Sequence, residues 1–168
     1  MTMSRRVATA WSAVWFLAAP GVVGGLVPWL MTDWRSPGFG AVQVIGAMLV
    51  APGVVVVVIA FAQFVAEGHG TPIPVAPTET LVVGGLYHWV RNPMYVSVLL
   101  VIGGQALLFE DPAVLLWCVV VFAIVWLFVV AYEQPTLRRR YGLSYAAYCE
   151  NVPGWYPRLT PWHKENTG

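Results

Sequence analysis

The chain has 168 residues, of which 58% are hydrophobic and 10% charged, with a formal net charge of +1. Ordinary soluble domains carry about a quarter charged residues, so this chain cannot cover a water-facing surface and reads as an integral membrane protein. The near-neutral balance gives no signal for a nucleic-acid partner, two cysteines make no disulfide framework, and three scattered histidines make no metal site.

The first apolar run, Val7–Met31, follows Arg5 and Arg6. It is long for a signal-peptide core, and Ala18-Ala19-Pro20 is a poor cleavage site, so a retained span is expected. Pro20 and Pro28 are expected to bend it. Glycines 21, 24, 25 and 46 are expected to let helices approach closely. The second run, 41–66, holds Pro52-Gly53. The loop 67–92 then opens with "GHGTPIPVAPTET", whose prolines forbid a regular helix.

The third run, Pro93–Phe109, is short but long enough to cross with little tilt. Glu110-Asp111 is expected to be a tight hairpin, with Asp111 capping the fourth run, 112–132, and Pro112 at its first position. In the tail, 133–168, Leu137, Tyr141, Tyr145 and Tyr148 recur at spacings of four, four and three, one face of an amphipathic helix. The expectation is an all-α polytopic membrane protein of four spans with a C-terminal amphipathic helix. Residues 1–168 form a single membrane domain, with the loop 67–92 and the tail 133–168 building the site.

Lys and Arg set the orientation. With four spans, eight of the nine bases fall on one side, and only Arg35 falls on the other. Both termini are therefore expected in the cytoplasm.

Polar residues gather at two places. Tyr87, His88, Trp89, Arg91, Asn92 and Tyr95 stand where the third span begins. Tyr132, Glu133 and Gln134, then Arg138–Arg140, stand where the fourth ends. An antiparallel hairpin brings these ends together. A helix N-terminus and Arg91 favour an anion, and Glu133 favours a cation, so a zwitterionic ligand suits the pair. Taken singly, these residues also serve as positive-inside anchors, a helix start and an interfacial aromatic belt.

"GGLYHWVRNPMYVS" followed by "EQPTLRRRYGLSYAAY" resembles the isoprenylcysteine carboxyl methyltransferase family, which has phospholipid methyltransferase relatives. Arg91, Pro93 and Tyr95 match the family's Arg-His-Pro-x-Tyr pattern, with Gly85 and Tyr87 before it. Glu133, Leu137, Gly142, Tyr145 and Tyr148 match its second pattern, with Tyr141 for the aromatic. The resemblance covers residues 79–157; the first two runs share only their apolar character. Asn92 replaces the family histidine and Gln134 its second glutamate, so no titrating imidazole or second carboxylate is implied there. Asn92 still donates and accepts hydrogen bonds.

The resemblance implies a membrane methyltransferase that uses S-adenosylmethionine. Arg91, Glu133 and Arg139 are then expected to act in catalysis. Gly85, Tyr87, Arg91, Asn92, Pro93, Tyr95, Glu133, Gln134 and Leu137 are expected to hold the cofactor, and no metal is expected. Arg139 and the tail aromatics would close over the cofactor, and aromatic faces suit its sulfonium. The acceptor would be lipophilic, such as an isoprenoid, an isoprenylcysteine-like carboxylate or a phospholipid, and would enter sideways from the bilayer among membrane lipids. Oligomeric state has no signature in the sequence. Two other readings compete: an NADPH-dependent membrane reductase of related architecture, and a non-catalytic four-span transporter. The reductase usually needs more spans, and the four runs lack the internal charges that ion-coupled transport uses.

Overall fold

The computed structural model describes residues 20–67, 81 and 83–162. The start of the first expected span, most of the proline-bearing loop and the last residues of the tail lie outside them. Every regular element among the described residues is helical. Helix α1 covers Val22–Thr32, α2 covers Ala41–Glu67, and a 3-10 turn covers Gly85–His88. Helix α3 is Pro93–Phe109 and α4 is Pro112–Phe128. A π-helical turn, Val129–Glu133, joins α4 to α5, Gln134–Tyr141, and α6 follows at Leu143–Asn151.

Two helices are long and apolar enough to cross a membrane, with candidate segments Ala41–Ala60 and Pro112–Tyr141; α1 and α3 are shorter apolar helices. The fourth helix thus continues beyond Tyr132, through the π turn, where Glu133 was expected to begin a tail: the Gln134 N–H donates to Val129 O and the Thr136 hydroxyl to Tyr132 O. Pro52 lies inside an unbroken α2. As expected, Pro93 and Pro112 start their helices, and Asp111 Oδ1 accepts from the Ala113 N–H at 2.7 Å.

Helix α2 lies along α3 with backbone in contact. A Cβ on Gly46 would stand 2.7 Å from Gly104 O, and a Cβ on Gly104 would stand 2.7 Å from Gly46 O. Glycine at both positions permits this approach. Gly21 and Gly25 meet nothing within 4 Å among the described residues, so the expectation of tight packing holds at Gly46 and not there. At one end of the pair, Gln43 Nε2 donates to Glu110 Oε1 at 2.6 Å, tying α2 to the turn between α3 and α4.

Helix α1 is held by a different device. It opens with a π turn, Val22–Leu26, in which the Val27 N–H donates to Val22 O. Pro28 follows and has no N–H, so Gly24 O, four residues before it, loses the donor of a regular α-helix, while the π register takes the Val27 N–H from Val23 O to Val22 O. In an apolar surrounding such carbonyls must find partners elsewhere. Trp117 Nε1 of α4 donates to Val23 O at 2.9 Å, and Gln105 Nε2 of α3 donates to Gly24 O at 2.6 Å. Between them, Ile102, Ala106, Val114 and Val121 form a buried apolar seam, with Val23 and Trp117 packed on it.

A second cluster lies beyond α4. Tyr145, Tyr148 and Val152 are buried, with Leu137, Tyr141, Tyr87, Leu81, Val83, Cys149 and Trp162 against them. The four residues expected on one helical face do share this cluster. They sit on two helices, not one, because Gly142 adopts φ 53° and ψ −126° and turns the chain between α5 and α6. Glycine reaches that conformation without a Cβ penalty.

Candidate active site

The site lies where α3 starts and α4 ends. Arg91 and Asn92 precede α3, Pro93 is its first residue, and Tyr95 lies in its first turn. The π turn ends on Glu133. A π turn inserts one residue into the helical register and is frequent at functional sites. Like the turn at Val22–Leu26, it stands two residues ahead of a proline, here Pro135, whose missing N–H favours that local unwinding. The turn aims Glu133 at α3: the Tyr95 hydroxyl donates to Glu133 Oε2 at 3.1 Å.

Arg91 is anchored from the tail. Its N–H donates to Pro153 O at 2.9 Å, and its Nη1 donates to Cys149 Sγ at 2.7 Å. Gly154 is buried against it; a Cβ there would stand 3.3 Å from Arg91 Nη2 and 3.5 Å from Asn92 Nδ2. Arg91 Nε is buried and has no partner among the described residues. Arg91 and Glu133 form no ion pair: the guanidinium goes to Cys149 and the carboxylate to Tyr95. Both charges act on the buried Tyr145 phenol. Burial is the main cause that raises it above the ordinary tyrosine range; Cys149 and Glu133 add to the rise and Arg91 opposes it.

The remaining expected residues divide. Gly85 opens the 3-10 turn at φ 55°, and a Cβ there would overlap the Gln63 side chain of α2. Gln63 Oε1 accepts from the Leu86 N–H at 3.2 Å, so Gly85 docks the turn on α2. Tyr87 in that turn accepts at its carbonyl from the Tyr148 hydroxyl at 2.8 Å, and its own hydroxyl meets Met94 Sδ at 3.8 Å. Leu137 joins the aromatic cluster. Gln134 is half-buried beside Glu133, whereas Arg139 is exposed on α5. Arg139 makes no hydrogen bond or ion pair with Arg91 or Glu133 among the described residues.

The tail's last described stretch runs back along the start of the site. Arg158 N–H donates to Trp89 O at 2.9 Å, Trp162 N–H donates to His88 O at 3.0 Å, and His88 Nδ1 hydrogen-bonds Trp162 O. Sequence reasoning missed Cys149, Pro153, Gly154 and Gln63. Cys149 lies one residue after Tyr148 in the matched pattern, which was its only signal. Nothing local marks the other three.

Searches of curated proteins and of solved structures return no match. A family model, phospholipid methyltransferase, matches residues 42–144. The match takes in α2, which the motif resemblance left aside, and stops before Tyr145. It contains Arg91, Asn92, Pro93, Tyr95, Glu133 and Arg139, and with them the hairpin and its two facing polar ends. The chain belongs to the phospholipid methyltransferase family, within the group of membrane methyltransferases related to the isoprenylcysteine carboxyl methyltransferases.

Proposed function

We propose that the protein is an integral membrane methyltransferase that takes its methyl group from S-adenosylmethionine and gives it to a lipophilic acceptor. The observation that carries this reading is the separation of Arg91 from Glu133. Two opposite charges stand near enough to act on one phenol, yet they make no ion pair with each other, and each is hydrogen-bonded to a neutral partner. Such an arrangement leaves both charges for a zwitterion, and the methionine end of S-adenosylmethionine is one. The buried, unpartnered Arg91 Nε is a donor in search of an acceptor.

The residues present suit that group. Arg91 would take the carboxylate, helped by the N-terminal dipole of α3. Glu133, oriented by Tyr95, would take the ammonium. Gly154 leaves room beside the guanidinium that any side chain would fill. Asn92, Tyr87 and Gln134 would line the pocket, with Gly85, Pro93 and Leu137 fixing the backbone around it. When bound, the cofactor supplies a methyl group activated for in-line displacement. The protein's contribution is to hold acceptor and cofactor in line, which can supply much of the rate. Arg139, exposed on α5, would act at the rim.

The family supports a lipid acceptor. An isoprenoid, an isoprenylcysteine-like carboxylate and a phospholipid headgroup each present a polar reactive end on a hydrocarbon chain. The tail packs Trp162 against Tyr148 and would cover the water side, so the acceptor would enter from the bilayer. The full chain would cross the membrane four times with both termini in the cytoplasm. The test is calorimetric binding of S-adenosylmethionine to protein in lipid nanodiscs, then transfer of labelled methyl to a panel of lipids. Micromolar binding with label in one lipid class is expected. No binding and no lipid labelling would overturn the reading.

A further inference from the structure

The tail carries one residue that leaves the polar side altogether. Trp155 packs edge-on against Phe122, with ring centroids 5.3 Å apart and planes at 75°. Phe122 belongs to α4, inside the candidate membrane segment, about three helical turns from Glu133. Its side chain is 42% exposed, so this ring faces away from the helical core. The residue before Trp155 is Gly154, pressed against Arg91 and Asn92, and the one before that is Pro153, which accepts from the Arg91 N–H. Three consecutive residues therefore run from the charged site to the exposed face of α4 within its candidate membrane segment.

From this continuity we infer that Trp155 and Phe122 form the bilayer-side wall of the acceptor site and select the shape of the acceptor's chain next to its reactive head. The inference rests on the methyltransferase reading above. Its occupant is the first few carbons of an acyl or isoprenyl chain whose head lies at Arg91 and Glu133. Such a chain must pass from the charged site into the bilayer, and the Pro153–Trp155 segment borders that route. Lipid tails are as apolar as any protein groove, so moving a straight chain from bilayer to groove gains little. The wall acts by shape. A rigid indole against a phenyl ring admits one chain profile and excludes another, such as one branched near the head.

The experiment uses the full chain in nanodiscs and two acceptors with the same head group, one with an unbranched chain and one with a methyl branch close to the head. The readout is the ratio of their kcat/KM values within one preparation. The wild type is expected to discriminate by about tenfold, the size of effect that one methyl group has in an apolar pocket. Trp155→Ala and Phe122→Ala should each bring the ratio near one, and Trp155→Phe should leave it between. Should Trp155→Ala fail to fold, Trp155→Phe and Phe122→Leu carry the same test. A wild-type ratio of one, or a ratio unchanged in all variants, overturns the wall and leaves Trp155 as an anchor. If wild type binds S-adenosylmethionine but methylates no lipophilic acceptor, the acceptor reading itself falls, and that outcome is distinct.

Discussion

The Tyr95 hydroxyl reaches across from the first turn of α3 to Glu133 Oε2, 3.1 Å away at the end of the π turn. This bond joins the two matched sequence patterns side chain to side chain, and it sets the direction of the carboxylate. Tyr95→Phe removes one neutral donor to a charged acceptor. It should cost about 1.5–3 kcal/mol where the carboxylate's orientation matters. The expected outcome is a loss of kcat/KM of about tenfold or more, with folded protein still recovered. Unchanged kinetics would show that Glu133 is oriented by other means.

Arg91→Ala should weaken S-adenosylmethionine binding by about ten- to hundredfold, the range for a lost charged hydrogen bond. Arg91→Lys should restore only part, because an ammonium cannot keep both the Cys149 contact and a second fork. Glu133→Gln should weaken binding in the same range while leaving the Tyr95 contact in place. Calorimetry on the three variants decides. Wild-type affinity in all of them would move the cofactor site elsewhere.

Gln105 should matter because of Pro28. Gln105→Leu leaves Gly24 O without its donor and should destabilise the protein by about 1–2 kcal/mol. Pro28→Ala returns a backbone N–H to that turn of α1. In the Pro28→Ala background, Gln105→Leu should therefore cost measurably less. A double-mutant cycle of unfolding in detergent gives the coupling. Strict additivity would mean that the side chain does not replace the missing backbone donor.

The tail should loosen at alkaline pH. Burial, first of all, raises the Tyr145 and Tyr148 phenols above the ordinary tyrosine value of about 10. A group whose folded pKa is raised contributes stability that is fully present below the unfolded pKa and is lost as pH rises through the folded one. Hydrogen exchange of residues 143–162 should accordingly speed up, beyond the chemical rate, above about pH 10. Tyr145→Phe should move that onset upward. Protection that stays flat to the point of global unfolding would contradict the sign.

A reporter fused after Gly168 should be active only in the cytoplasm. Eight of nine bases lie on the proposed inner side of a four-span chain, and the positive-inside bias sets orientation. External activity would require an odd number of spans.

The sequence by itself determined the elements. Apolar run lengths decided where α2, α3 and α4 lie, and Pro93, Asp111 and Pro112 decided where helices start, because these effects act within one turn. The paired patterns around Arg91 and Glu133 marked the site, since an antiparallel hairpin leaves their ends no choice but to meet. The spacing of Leu137, Tyr141, Tyr145 and Tyr148 marked a common cluster. What the tertiary structure decided depends on distant segments. Each π turn precedes a proline that takes away a donor, and at α1 other helices supply donors in its place, through Gln105 and Trp117. The break at Gly142 follows from wrapping the tail back over the 3-10 turn, which local periodicity does not encode. Cys149, Pro153 and Gly154 became part of the site only through that wrap, which carries a chain segment some sixty residues downstream onto Arg91. Hydrophobic pattern and capping act locally, so they are legible in order along the chain; the partner of a buried guanidinium is fixed by packing.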